Sequence, residues 1–128
     1  MKTNETALDM WIRLLKIACI IFVIDLIWLA TGGLYFRNMV SLIQAHPVVI
    51  KYIPLVIIYF ALAYILSTAP DIKTAGMLGL GVYTVYDMTN YALFKQYDVG
   101  IAVADMIWGG VLFIFSFASA KHFGLIDE

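Results

Sequence analysis

Charge is what this sequence has least of. Only 13% of its 128 residues are charged, against 63% hydrophobic, where a soluble domain carries about a quarter charged and nearly half apolar. That imbalance excludes a soluble catalytic domain and points to an integral membrane protein. A net charge of -1 excludes the basic footprint of a nucleic-acid binder. Cys19 is the only cysteine, so neither an intrachain disulfide nor a zinc motif can form. It reads as a small packing residue inside the first apolar segment. His46 and His122 fall near segment ends, which excludes a haem held by paired intramembrane histidines. No cofactor and no metal is expected.

What remains is apolar sequence in four long segments, at about 14–36, 53–69, 74–94 and 99–120. Each is close to the roughly 20 residues a helix needs to cross a bilayer, and helices satisfy their own backbone in lipid. The expected fold is all-α: a single domain over 1–128, an antiparallel bundle of four transmembrane helices. The stretch from Arg37 to Tyr52 mixes polar and apolar residues ahead of Pro47, as a short interfacial helix between helices 1 and 2 would. Residues 1–13 form a polar lead. The N-terminal apolar stretch is too long for a cleaved signal peptide and contains Asp25, so it reads as the first membrane helix. Pro54 suits a first turn, and Pro70 ends the second helix. The terminal side carries Lys2, Arg13, Lys16, Lys73 and Lys121, the other side Arg37, Lys51 and Lys95. Five against three places the termini in the cytoplasm. The margin is small enough to keep a dual-topology homo-oligomer open.

Three aspartates interrupt these segments. Asp25 and Asp105 each begin a D-x-x-W pattern, ending at Trp28 and Trp108, and Asp87 lies in the run Tyr86-Asp87-Met88-Thr89-Asn90. Acids in lipid-spanning helices are costly and face a bundle interior, a cavity or a partner. At 100° per residue, Gly76, Gly79, Tyr83, Asp87, Asn90 and Phe94 share one stripe. Asp25 shares another with Ala18, Ile21, Gly32 and Phe36, with Trp28 at its edge. Asp105 shares a third with Ile101, Leu112, Ser116 and Ser119, flanked by Trp108 and Gly109. The glycines let a neighbouring backbone approach closely. Asp87 lies about 21 Å along its helix from Lys73, Asp105 about 24 Å from Lys121, and Asp25 about 18 Å from Arg13. The three therefore fall within about one turn in depth, with Trp28 and Trp108 expected on opposite sides of the layer. The second apolar segment offers only Tyr59, Tyr64, Ser67 and Thr68, and is expected to back the layer. Lys95 is the nearest cation.

The residues expected to form the polar site are Asp25, Trp28, Tyr83, Tyr86, Asp87, Asn90, Asp105 and Trp108. Three acids in one low-dielectric layer cannot all be ionised. They can hold a proton, bind a cation, or hydrogen-bond a polar solute or head group. The structural alternative is that protonated carboxyls bond across helices to tyrosine, tryptophan or asparagine, each contributing about 1 kcal/mol. Asp87 and Asn90 could offer two oxygens to a hard cation, but a fourth strong ligand is lacking. A Ser-His-Asp set, a thiol nucleophile and a nucleotide loop are all missing.

Taken together, these motifs resemble a family of small predicted membrane proteins, domain of unknown function 2177. The resemblance covers nearly the whole chain. It rests on Asp25, Trp28 and Leu29, on Tyr86 to Asn90 with Ala92, on Lys95, and on Asp105, Trp108 and Gly109. Where the family often has a tryptophan soon after the lysine, this chain has Tyr97. The resemblance implies a four-helix membrane fold and a shared polar site, and it assigns no activity. Binding or transport of a proton, cation or small polar solute is the first expectation. A membrane enzyme or accessory protein in lipid modification is the second, and a structural subunit of a membrane complex the third. The expected partners are the lipid bilayer and an unassigned small-molecule or lipid ligand.

Overall fold

The computed structural model describes residues 4–127. Among them are five helices and no strand: α1 (Ala7–Leu29), α2 (Gly32–Gln44), α3 (Tyr52–Ser67), α4 (Ile72–Leu93) and α5 (Val99–His122). The last three nearly coincide with the apolar segments because their ends are signalled locally. Pro54 stands in the first turn of α3. The carboxylates of Asp71 and Asp98 accept the backbone N–H groups of Thr74 and Ile101 and cap α4 and α5. N-terminal cap residues of this kind satisfy donors that have no partner within the helix.

The first segment departs from expectation. Its helix starts earlier, at Ala7, under a cap from the Thr6 hydroxyl to Asp9 N–H at 3.1 Å. It also ends earlier, at Leu29. The Thr31 hydroxyl donates to the Ile27 carbonyl at 2.6 Å, competing with the helical ladder, and Gly32 and Gly33 follow with little helical preference. The chain then turns by 76° into α2. The helix expected between the first and second spans is therefore longer than its sequence suggested and takes over the last turn of the expected first span. It ends at Ala45 in the left-handed region, φ 60°, with the Gln44 amide donating to the carbonyls of His46 and Pro47. By length and composition, α5 alone is sufficient to cross a membrane, and α1 with α2 qualify only as a bent pair. Four separate spans are thus not established by helix length. Lys2, counted above for orientation, lies outside the described residues.

The packing has two halves. Toward the termini lies an apolar core of α1, α3 and α5, including Ile17, Ile21, Leu66, Leu112 and Phe113. Toward the other end, Met39 of α2, Tyr97 of the α4–α5 loop and Ala102 form a second cluster, joined by Phe36, Met88 and Ile101. Helices α4 and α5 form the closest pair. A Cβ on Gly79 would collide with the Gly109 carbonyl and the Phe113 side chain, and one on Gly109 with the Tyr83 ring. Small residues permit this approach. At the terminal end Arg13, counted above for orientation, is buried. It makes a forked ion pair with Glu5 at 2.6 and 3.1 Å and donates to the Leu125 carbonyl at 3.3 Å. Cys19 is exposed and is not the packing residue expected of it.

Candidate functional site

All three aspartates are buried, at 6% exposure for Asp25, 0% for Asp87 and 7% for Asp105. They project from α1, α4 and α5 toward the interior face that helical periodicity assigned to each. Tyr83, on the α4 stripe and packed against Gly109, lies near all of them and near Tyr59. The periodicity of the three helices thus converges on one cluster.

Asp25 has a donor for each oxygen. The Tyr59 hydroxyl donates to Oδ2 at 2.5 Å, and the Trp108 ring N–H donates to Oδ1 at 2.8 Å. Tyr59 is therefore a direct partner from α3, not backing. Asp87 is served on one side only: the Tyr97 hydroxyl donates to Oδ1 at 2.8 Å, while buried Oδ2 has no donor among the described residues. Asp105 lies within hydrogen-bonding reach of the Asp87 carboxyl and of the Trp28 side chain. Burial first, and then the bond to Asp87, hold the Tyr97 hydroxyl proton well above the usual phenol range. Tyr97 is thus a persistent donor.

The two tryptophans do not flank the layer from opposite sides. Their rings stack on one another, centroids 5.9 Å apart and planes 12° apart. Because α1 and α5 run antiparallel, each tryptophan moves one turn away from its own aspartate and comes level with the other helix's. The result is an exchange: Trp108 meets Asp25, and Trp28 stands against Asp105. Such contacts combine ring burial with a polar handle.

The remaining candidates divide. The Asn90 side chain is within reach of the hydroxyls of Tyr86 and Tyr97. Tyr86 itself is 52% exposed and sits at the rim, its ring 6.2 Å from that of Phe36. Phe36 also meets Tyr97 edge-on at 6.1 Å, so α2 covers this end of the cluster. Lys95 is exposed and is not brought in as a counter-charge. Tyr97 and Tyr59 are the residues that sequence reasoning undervalued. Tyr97 looked like an interfacial anchor, and α3 is apolar on all sides, so no stripe distinguished Tyr59. Among the described residues, no three His, Cys, Asp or Glu side chains converge closely enough to hold a metal ion.

The family model described as predicted membrane protein, DUF2177, matches residues 10–121. That span contains every helix from the second turn of α1 to the last turn of α5, and all the residues above. Among curated proteins and among solved structures, nothing matches this chain.

Proposed function

Because the chain belongs to the DUF2177 family of predicted membrane proteins, we propose that α1, α3, α4 and α5 cross the bilayer while α2 lies along its surface. We propose further that the aspartate cluster binds or conducts a proton, a cation or a small polar solute. Two observations support the bilayer setting. Large apolar side chains line the outside of the bundle, among them Leu15, Val23, Ile27, Ile57, Val85, Ile107 and Phe115, whereas a monomeric soluble protein avoids such continuous exposure. The 76° turn also directs α2 away from the axis of α1. At 16 residues, α3 spans about 24 Å, and the non-helical run Val48–Ile50 ahead of it adds apolar length.

The observation that carries the functional reading is the convergence of three buried carboxyls, from three helices, on one tyrosine. Helix association does not need so many, and intramembrane acids mark relays and ion pathways. The test is reconstitution of the purified protein in liposomes loaded with a pH- or ion-sensitive dye, with proton, sodium and potassium gradients imposed in turn. Flux in the wild type that is lost in Asp87→Asn supports the reading. Behaviour identical to wild type in Asp25→Asn, Asp87→Asn and Asp105→Asn overturns it.

A further inference from the structure

The three acids are not equivalent. Asp25 accepts one donor on each oxygen, from Tyr59 and Trp108, and needs nothing more. Asp87 is fully buried, accepts from Tyr97 through Oδ1, has Asp105 within hydrogen-bonding reach, and leaves Oδ2 with no donor among the described residues. An unsatisfied buried acceptor costs about 1–3 kcal/mol, and more when it is charged. Two ionised carboxylates in contact would add direct repulsion. A single proton removes both penalties. Placed on Asp105, it donates to Asp87 Oδ2, and Asp87 then has a donor for each oxygen, as Asp25 does.

We propose that Asp87 and Asp105 are a proton-binding pair sharing one exchangeable proton, and that Asp25 is a fixed structural acceptor that takes no part in exchange. The proposal deepens the reading of the cluster as a binding or transport site, and rests on it for a role in flux. The pair lies within one hairpin: Asp87 on α4, Asp105 on α5, and Tyr97 in the loop that joins them. Titratable groups face it from every side. These are Asp25 from α1, Tyr59 from α3, Tyr83 and Tyr86 from α4, and Tyr97 from the loop; α2 contributes the ring of Phe36. None of these side chains is a cation. The proton is therefore the positive charge this arrangement accommodates, in keeping with the lack, among the described residues, of three converging ligands for a metal.

The test is the infrared absorption of protonated aspartic acid in the full chain, purified and held in lipid nanodiscs at neutral pH. The expected result is an acid carbonyl band in the wild type that disappears in Asp87→Asn and in Asp105→Asn and persists in Asp25→Asn. An asparagine amide can supply the missing hydrogen bond, which leaves the remaining carboxylate ionised. Absence of the band in the wild type, its persistence in both Asp87→Asn and Asp105→Asn, or its loss in Asp25→Asn overturns the proposal. Thermal unfolding of the same samples establishes that each is folded. Asp105→Glu, which keeps an acid, covers the case of an asparagine variant that is not: the band moves if residue 105 carries the proton, and an unmoved band overturns the proposal. Dye-reported flux is a separate measurement. A correct band pattern without flux removes the transport reading and keeps the pair, while Asp87-dependent flux without the band does the reverse.

Discussion

At the scale of single residues, both oxygens of Asp25 and Oδ1 of Asp87 have a named donor, and each donor has a calculable worth. Tyr97→Phe removes the hydroxyl that donates to Asp87 Oδ1. It should destabilise the folded protein by about 1–3 kcal/mol, read as a lower unfolding midpoint in detergent. Tyr59→Phe leaves Asp25 with Trp108 and should cost less, about 1 kcal/mol. Tyr97 also gives a signed pH dependence. Its proton is held more tightly in the folded protein than in the unfolded chain. The stabilisation is fully present below the ordinary phenol value near 10, and it is lost as pH rises above it. Midpoints measured between neutral and strongly alkaline pH should therefore fall more steeply in the wild type than in Tyr97→Phe.

At the scale of elements, the α4–α5 contact depends on two positions that admit no side chain. Gly79→Ala and Gly109→Ala should each force the helices apart, at about 1–3 kcal/mol or more. Gly81→Ala meets nothing within 4 Å and should be neutral or slightly stabilising through helix propensity. Unfolding of the three variants side by side separates packing from propensity. The same elements show what could be read without coordinates. Helices α3, α4 and α5 were legible because Pro54 and Pro70 mark the start and end of the first of them and the apolar runs have clear ends. The glycine face of α4 was legible because a period of 3.6 residues aligned Gly76, Gly79 and Asp87. The break after Leu29 was not. The sequence stays apolar through Leu34, Tyr35 and Phe36, and the interruption combines the Thr31 hydroxyl bonding back to Ile27 with the two glycines that follow. Nor could the sequence show that each tryptophan serves the other helix's aspartate, since that depends on the axial offset of α1 against α5. A Cβ at Gly32 would strike the Trp28 ring. Gly32→Ala should therefore disturb the Trp28–Trp108 stack and change tryptophan emission while leaving helix content intact.

At the scale of the whole molecule, the ends of the chain are joined. Arg13 links Glu5 to the Leu125 carbonyl, across 112 residues of sequence, a separation that makes the contact invisible to any local pattern. Arg13→Ala removes a buried guanidinium that bonds Glu5 and that carbonyl. It should speed hydrogen exchange in the segment after Phe123, measured by mass spectrometry, with little change at Asp87. The two ends of the bundle then differ in kind. One is closed by an ion pair and an apolar core, the other by the Phe36 ring of α2 over a cluster of acids.

The two bonds to Asp25 also impose an order on biogenesis. Chains are made from the N-terminus, so Asp25 emerges before either donor: Tyr59 follows 34 residues later and Trp108 only after 83. During that interval α1 carries an acid with no partner of its own, and Tyr59 is the first that synthesis supplies. Tyr59 is in this sense an early escort for the nascent first helix, while Trp108 closes the site when the last helix arrives. Tyr59→Phe should accordingly lower the yield of membrane-inserted protein more than Trp108→Phe, even where the two finished proteins melt alike.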